Sequence, residues 1–156
     1  MNARSSLLAT AIVLQYALAS HSVAACNVSA ANLAFGAYDS FRTAPTDSAG
    51  NVAVICSGAP GSTVSYSIAL NAGGAGNFSP RRMRSTSGVL SYNIYVDAAR
   101  SAIWGDGNGN STVATDSYAL STPSQSRNYP IYGRIFSGQN APIGVYSDSI
   151  VVTLSY

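Results

Sequence analysis

The sequence predicts an all-β fold, an antiparallel sandwich of short strands, and three observations carry that prediction. Charged residues make up 9% of the 156-residue chain, and every one of them is Arg or Asp. Glu and Lys, which with Ala and Leu ordinarily build the outer faces of helices, are absent, whereas Gly, Tyr, Ser, Thr and Val are plentiful. Apolar and polar residues alternate with period two in several runs, as on strands with one buried face. Between those runs lie clusters of Gly, Asn, Ser and Pro that favour tight turns. An apolar content of 47% over this length supports one domain with a core of its own.

At the N-terminus, Arg4 precedes the apolar run "LLATAIVLQYALA", and small residues follow, which is the form of an export signal. The run is too short for a comfortable membrane span. Cleavage fits after Ala19 or after Ala25, so residues 1–25 are set apart as a signal peptide and 26–156 are expected to form the exported domain. Cys26 and Cys56 are the two cysteines, an even pair in an exported chain, for which a disulfide is the expected state. "VAAC" is also the kind of small-residue run that precedes a lipid-modified cysteine, an alternative that would leave Cys56 as a lone thiol.

The strands follow in order. A first is expected in "CNVSAANLAF" (26–35). "NVAVICS" then puts Val52, Val54 and Cys56 on one face, and "TVSYSIALN" does the same for Val64, Tyr66, Ile68 and Leu70. "VLSYNIYVD" aligns Leu90, Tyr92, Ile94 and Val96, and "NYPIYGRIF" aligns Tyr129, Ile131 and Ile135. Pro130 marks that last run as an edge or a bulge, because it cannot donate to a ladder. The chain ends on "SDSIVVTLSY", where Ile150, Val152, Leu154 and Tyr156 alternate with Val151, Thr153 and Ser155. About six strands in an antiparallel arrangement make a sandwich. A terminal strand this apolar needs a neighbour on each side, and the sequence supplies no obvious second one.

Residues able to carry chemistry are few. The one His, His21, lies in or beside the expected leader, and the six Asp residues (39, 47, 97, 106, 116 and 148) are dispersed along the chain. Neither a catalytic site nor a cofactor or metal site is therefore expected. "DGNGNS" from Asp106 follows the opening of a calcium loop, but Ser111 stands where Gly should make the turn and Ser117 where Glu should ligate, so a turn is the expected structure. "RRMR" (81–84) could grip phosphate or an acidic glycan with its guanidinium forks, or serve solubility and local pairing with Asp. The tyrosines could line a sugar site, although most fall at strand positions where aromatics fill a core. A net charge of +2 is too small to imply a nucleic-acid partner.

The ordered set "CNV…LAFGAYDS", "GNVAVICS", "YSIALNAG…FSPRRM", "LSYNIYVDAARSAIWGDG", "IYGRI" and "GVYSDSIVVTLSY" resembles the spore coat protein U domain family, which includes subunits of archaic chaperone-usher pili. The resemblance runs from Cys26 to Tyr156 and includes Tyr92, Tyr95, Asp97, Arg100, Trp104, Gly105 and Asp106. It implies an immunoglobulin-like sandwich lacking one strand, with the last strand (Ile150, Val152, Leu154, Tyr156) bordering a groove that receives a strand from another chain. It further implies a periplasmic chaperone, an outer-membrane usher, other pilus subunits and a host or abiotic surface as partners, and a place in the periplasm and then at the cell surface or in a secreted fibre. In polymerising relatives a donor segment precedes the first Cys, whereas here cleavage after Ala19 leaves "SHSVAA" and cleavage after Ala25 leaves nothing. The chain is accordingly expected to accept a strand but donate poorly, as a terminal subunit would. The competing function is a secreted, self-sufficient carbohydrate-binding sandwich.

Overall fold

The computed structural model describes residues 24–156, so the expected leader falls almost wholly outside the described residues. Ten strands form: β1 Ala25–Ala30, β2 Thr46–Ser57, β3 Thr63–Leu70, β4 Arg81–Arg84, β5 Val89–Tyr95, β6 Ile103–Trp104, β7 Ser111–Thr112, β8 Ala114–Ala119, β9 Ser124–Ile135 and β10 Val152–Ser155. One 3-10 turn, Gly73–Ala75, interrupts them. The larger sheet runs β1-β2-β9-β5-β6-β7, with β4 also paired to β5, and the smaller runs β10-β3-β8. Pairing is antiparallel throughout except for the two-residue β6/β7 contact.

Period-two burial builds the core. Val52, Val54 and Cys56 of β2 and Val64, Tyr66, Ile68 and Leu70 of β3 are all buried, as are Leu90, Tyr92 and Ile94 of β5 and Ile131 and Ile135 of β9. These facing rows pack into one cluster between the sheets, and each large side chain so buried stabilises the fold by roughly 1.5 to 3 kcal/mol. Cys26 and Cys56 sit directly opposite in the β1/β2 register and form the disulfide. The chain is thus an all-β sandwich with one intrachain disulfide, as the alternation and the cysteine pair predict, and its sheets are open, as the family resemblance implies.

Several elements differ from the sequence expectation. The first strand, expected within residues 26–35, occupies Ala25–Ala30. Beyond it the chain leaves the sheet edge and lays Leu33 and Phe35 over Gly133 of β9, where a Cβ would meet Leu33 Cδ2 at 2.5 Å and the Phe35 ring at 2.7 Å. Ten strands form among the described residues rather than about six, because β4, β6 and β7 span only two to four residues and β8 is only half-buried. Pro130 lies within β9 but outside the stretch paired with β5, which is residues 132–135, so β9 is a local edge where the proline sits.

"RRMR" is β4, and its period is that of a strand rather than of an anion site. Arg81 and Met83 face inward and Arg82 and Arg84 outward. Arg81 is fully buried: it donates to the backbone oxygens of Asn71 (2.9 Å) and Trp104 (2.7 Å) and to Asn93 Oδ1 (3.0 Å), with its guanidinium 5.0 Å from the Phe78 ring centre. It ties the ends of β3, β4, β5 and β6 together.

Candidate functional site

The C-terminal segment changes sheets. Ser147 exchanges two backbone hydrogen bonds with Arg84 at the margin of β4, and four residues later Asn71 donates to the Val151 carbonyl while its side chain accepts from the Val151 amide. From Val152 to Ser155 the chain pairs with β3, Val152 opposite Leu70 and Leu154 opposite Ile68. Among the described residues no strand pairs the other edge of β10. Of the four residues expected to form this edge, Ile150, Val152 and Leu154 are half-buried and face the core cluster, while Tyr156, past the end of β10, is 66% exposed.

A long cleft runs beside this edge. One part, about 460 Å³, lies between the end of β1 with the residues after it (Ala30 to Phe35) and the segment from Tyr146 to Val152, over a floor of core residues that includes Leu70, Tyr92, Ile94 and Ile131. A second part, about 690 Å³, continues between 33–41 and 141–146 over Leu90 and Ile135, and the two share Leu33, Phe35, Met83 and Tyr146. The core is therefore reached directly from outside along one side of the sandwich. At the far mouth Phe41, Ile143 and Val145 are 94%, 103% and 90% exposed. All three line the second cavity.

Polar groups fix the walls. Gln139 donates to the Ser91 and Phe136 carbonyls and accepts from the Ser91 amide, and Tyr38 accepts from the Gln139 amide at 2.8 Å, which pins both flanks of the second cavity to β5. Tyr146 donates to the Pro142 carbonyl at 2.7 Å. Asp148 is the carboxylate lining the first cavity: its Oδ2 accepts from the Tyr92 hydroxyl at 2.7 Å, and its Oδ1 accepts from the amides of Gly74 and Ser149, each at 2.9 Å. Burial, and then the bond to Asp148, push the Tyr92 phenol far above its ordinary range.

On the other side of the sandwich, between β8 and β9, the gap is sealed. The Tyr66 and Tyr129 hydroxyls meet at 2.5 Å, Tyr129 donates to Asp116 at 2.6 Å, and Arg127 pairs with Asp116 at 3.4 Å while lying over the Tyr118 ring. Burial raises the Tyr66 pKa to about 12 and carries Tyr129 upward too. One flank is thus stitched by polar bonds and the other left open.

The Asp106 loop closes on itself, with Asp106 accepting from the Asn108 amide and the Ser111 hydroxyl donating to the Asn108 carbonyl. Among the described residues no cluster of His, Cys, Asp or Glu is placed to hold a metal. Sequence reasoning missed Leu33, Phe35, Met83, Tyr146 and Asp148 as cleft residues. The alternation of Met83 with Arg82 and Arg84 was a usable signal for one of them.

The sequence profile of the Spore Coat Protein U domain matches residues 12–153. Over 78 residues, 49% of this chain and 40% of the other, the sequence is 35% identical to Protein U of Myxococcus xanthus. The fold is similar to a chain in the crystal structure of the CsuC-CsuE chaperone-tip adhesion subunit pre-assembly complex from archaic chaperone-usher Csu pili of Acinetobacter baumannii. That likeness has a TM-score of 0.56 at 23% identity and covers 86% of this chain and 40% of that one. In each comparison the matched part amounts to 40% of the relative's length. With a profile match across nearly all of its length, the chain belongs to the Spore Coat Protein U domain family.

Proposed function

We propose that this protein is a structural or adhesive subunit of a chaperone-usher surface fibre or coat, and that it works by accepting a β-strand from another polypeptide in the cleft beside β10. The observation that carries this reading is the pairing of β10 on one side only, above a floor of core residues. A strand entering there would satisfy the free backbone edge and cover the apolar floor at once. Each large apolar side chain it brought would contribute roughly 1.5 to 3 kcal/mol.

The family and the fold of its pilus-subunit neighbour support this assignment. Residues 1–25 direct export in this account. A periplasmic chaperone fills the cleft first, the outer-membrane usher receives the complex, and a neighbouring subunit's strand replaces the chaperone's. With six residues before Cys26 after cleavage at Ala19, and none after cleavage at Ala25, the chain is a better acceptor than donor, as suits a terminal position.

The test is expression of the exported chain alone and together with a periplasmic chaperone of the archaic chaperone-usher type. Alone it should aggregate or be degraded, and with the chaperone it should be recovered as a soluble complex. Recovery of a stable monomer without any partner would contradict strand acceptance and favour the self-sufficient sugar-binding sandwich. N-terminal sequencing of the exported protein tests the terminal position, which fails if a long alternating segment precedes Cys26.

A further inference from the structure

The cleft wall is not uniformly apolar. The side chains that the C-terminal segment turns inward are Tyr146, Asp148, Ile150, Val152 and Leu154, and all five are half-buried while their neighbours Ser147, Ser149, Val151 and Thr153 are exposed. Asp148 therefore occupies one step of an otherwise apolar row. Its carboxylate is directed between the sheets, because it accepts from the hydroxyl of the buried Tyr92. Two amides serve Oδ1 and one phenol serves Oδ2, which leaves Oδ2 with acceptor capacity. Among the described residues the ion pairs are Arg100 and Arg134 with Asp47 and Arg127 with Asp116, and none involves Asp148. The nearby Arg81 guanidinium is committed to Asn71, Asn93 and Trp104.

An incoming strand that laid an apolar side chain against this step would strip water from a carboxylate and return nothing. A cationic side chain there would replace the lost water with a charge-assisted hydrogen bond, while its methylene stem covered the apolar surface on either side. We propose that the segment accepted by this cleft carries apolar side chains at alternate positions and a Lys or Arg at the one position beside Asp148, so that this carboxylate sets the register and the partner. The inference rests on the strand-acceptor reading. It adds a selection rule, since a strand shifted by one step of its repeat would bury the carboxylate under an apolar group and place its own cation against Ile150 or Tyr146.

The experiment uses the full exported protein, released from its chaperone, and synthetic peptides long enough to span the cleft, with Leu at alternate positions and Ser between. One Lys is walked through the Leu positions, and binding is followed by fluorescence anisotropy. A single position should bind about tenfold more tightly than the all-Leu peptide, and the others more weakly. Acetyl-lysine at the favoured position should lose the gain without any change to the protein. Asp148→Asn, which keeps an acceptor for Tyr92, should abolish the preference. If Leu peptides bind but Lys weakens binding at every position, or if Asp148→Asn retains the preference, the selection rule is overturned and strand acceptance stands. If no peptide binds and the protein stays monomeric, both fall together.

Discussion

Reducing the disulfide should cost this fold more than any single surface change. The bridge joins Cys26 and Cys56, 30 residues apart, and ties β1 to β2. β1 is an edge strand of six residues paired on one side, and the chain beyond it becomes a wall of the cleft. In the chain-entropy treatment, closing a loop of this length restricts the unfolded state by about 12 cal/mol/K, or about 3.6 kcal/mol at room temperature. That is a change of several hundred-fold in the folding equilibrium. With a urea slope of about 2 kcal/mol/M for a domain of this size, the midpoint should fall by about 2 M. Oxidised and fully reduced protein would be unfolded in urea at one fixed concentration of a cleft-filling peptide, followed by tyrosine fluorescence and far-UV circular dichroism. A midpoint shift below about 0.5 M, or about 1 kcal/mol, would refute the reasoning, since β1 and the cleft wall would then be held without the bridge.

Arg81→Met should destabilise the sandwich by about 3 kcal/mol or more in the same assay. It removes the donor to the Asn71 and Trp104 carbonyls and one of the two donors to Asn93 Oδ1, and only part of that loss is offset by removing a buried charge. Gly133→Ala should cost about 1 to 3 kcal/mol, because the new methyl collides with Leu33 and Phe35; it should also weaken peptide binding by displacing the cleft wall, read by anisotropy. Tyr66, Tyr92 and Tyr129 bind their protons more tightly in the folded state, Tyr66 to about pH 12, than the ordinary value of about 10 allows. The stability this supplies is complete below pH 10 and drains away as the pH rises toward and through about 12. Tyrosinate absorbance should therefore rise in two stages, the later one coinciding with unfolding. A single smooth titration near pH 10 with the fold intact would contradict it.

Much of the framework was legible because local alternation and burial agree. Val52, Val54 and Cys56, or Val64 through Leu70, face the core in the sheets as they do in the sequence, and the paired cysteines needed only an oxidising destination. The cleft was legible only along one side. Ile150, Val152 and Leu154 announce themselves by period, but the opposite wall is made by Leu33 and Phe35 seated over a glycine a hundred residues away, which no local pattern encodes. Arg81 misled for a related reason. A basic run reads as solvated charge, yet three acceptors contributed by distant parts of the chain, Asn71 after β3, Asn93 in β5 and Trp104 in β6, make the interior habitable for one of its guanidinium groups. Asp148 looked like one of six scattered carboxylates until Tyr92 and the Gly74 amide were brought beside it.

The most direct test of strand acceptance is site-resolved amide hydrogen exchange across residues 146–156 of the oxidised protein, freshly released from its chaperone at a dilution and over a time in which it has not yet aggregated, before and after adding a peptide with alternating apolar residues. Amides that point away from β3 should exchange rapidly at first and become protected at every second position once the peptide is bound, while core amides of β2 and β9 change little. If all the amides of that segment are already protected in the monomer, or if none gains protection with peptide in excess, the last strand has no free edge to offer and the account is wrong.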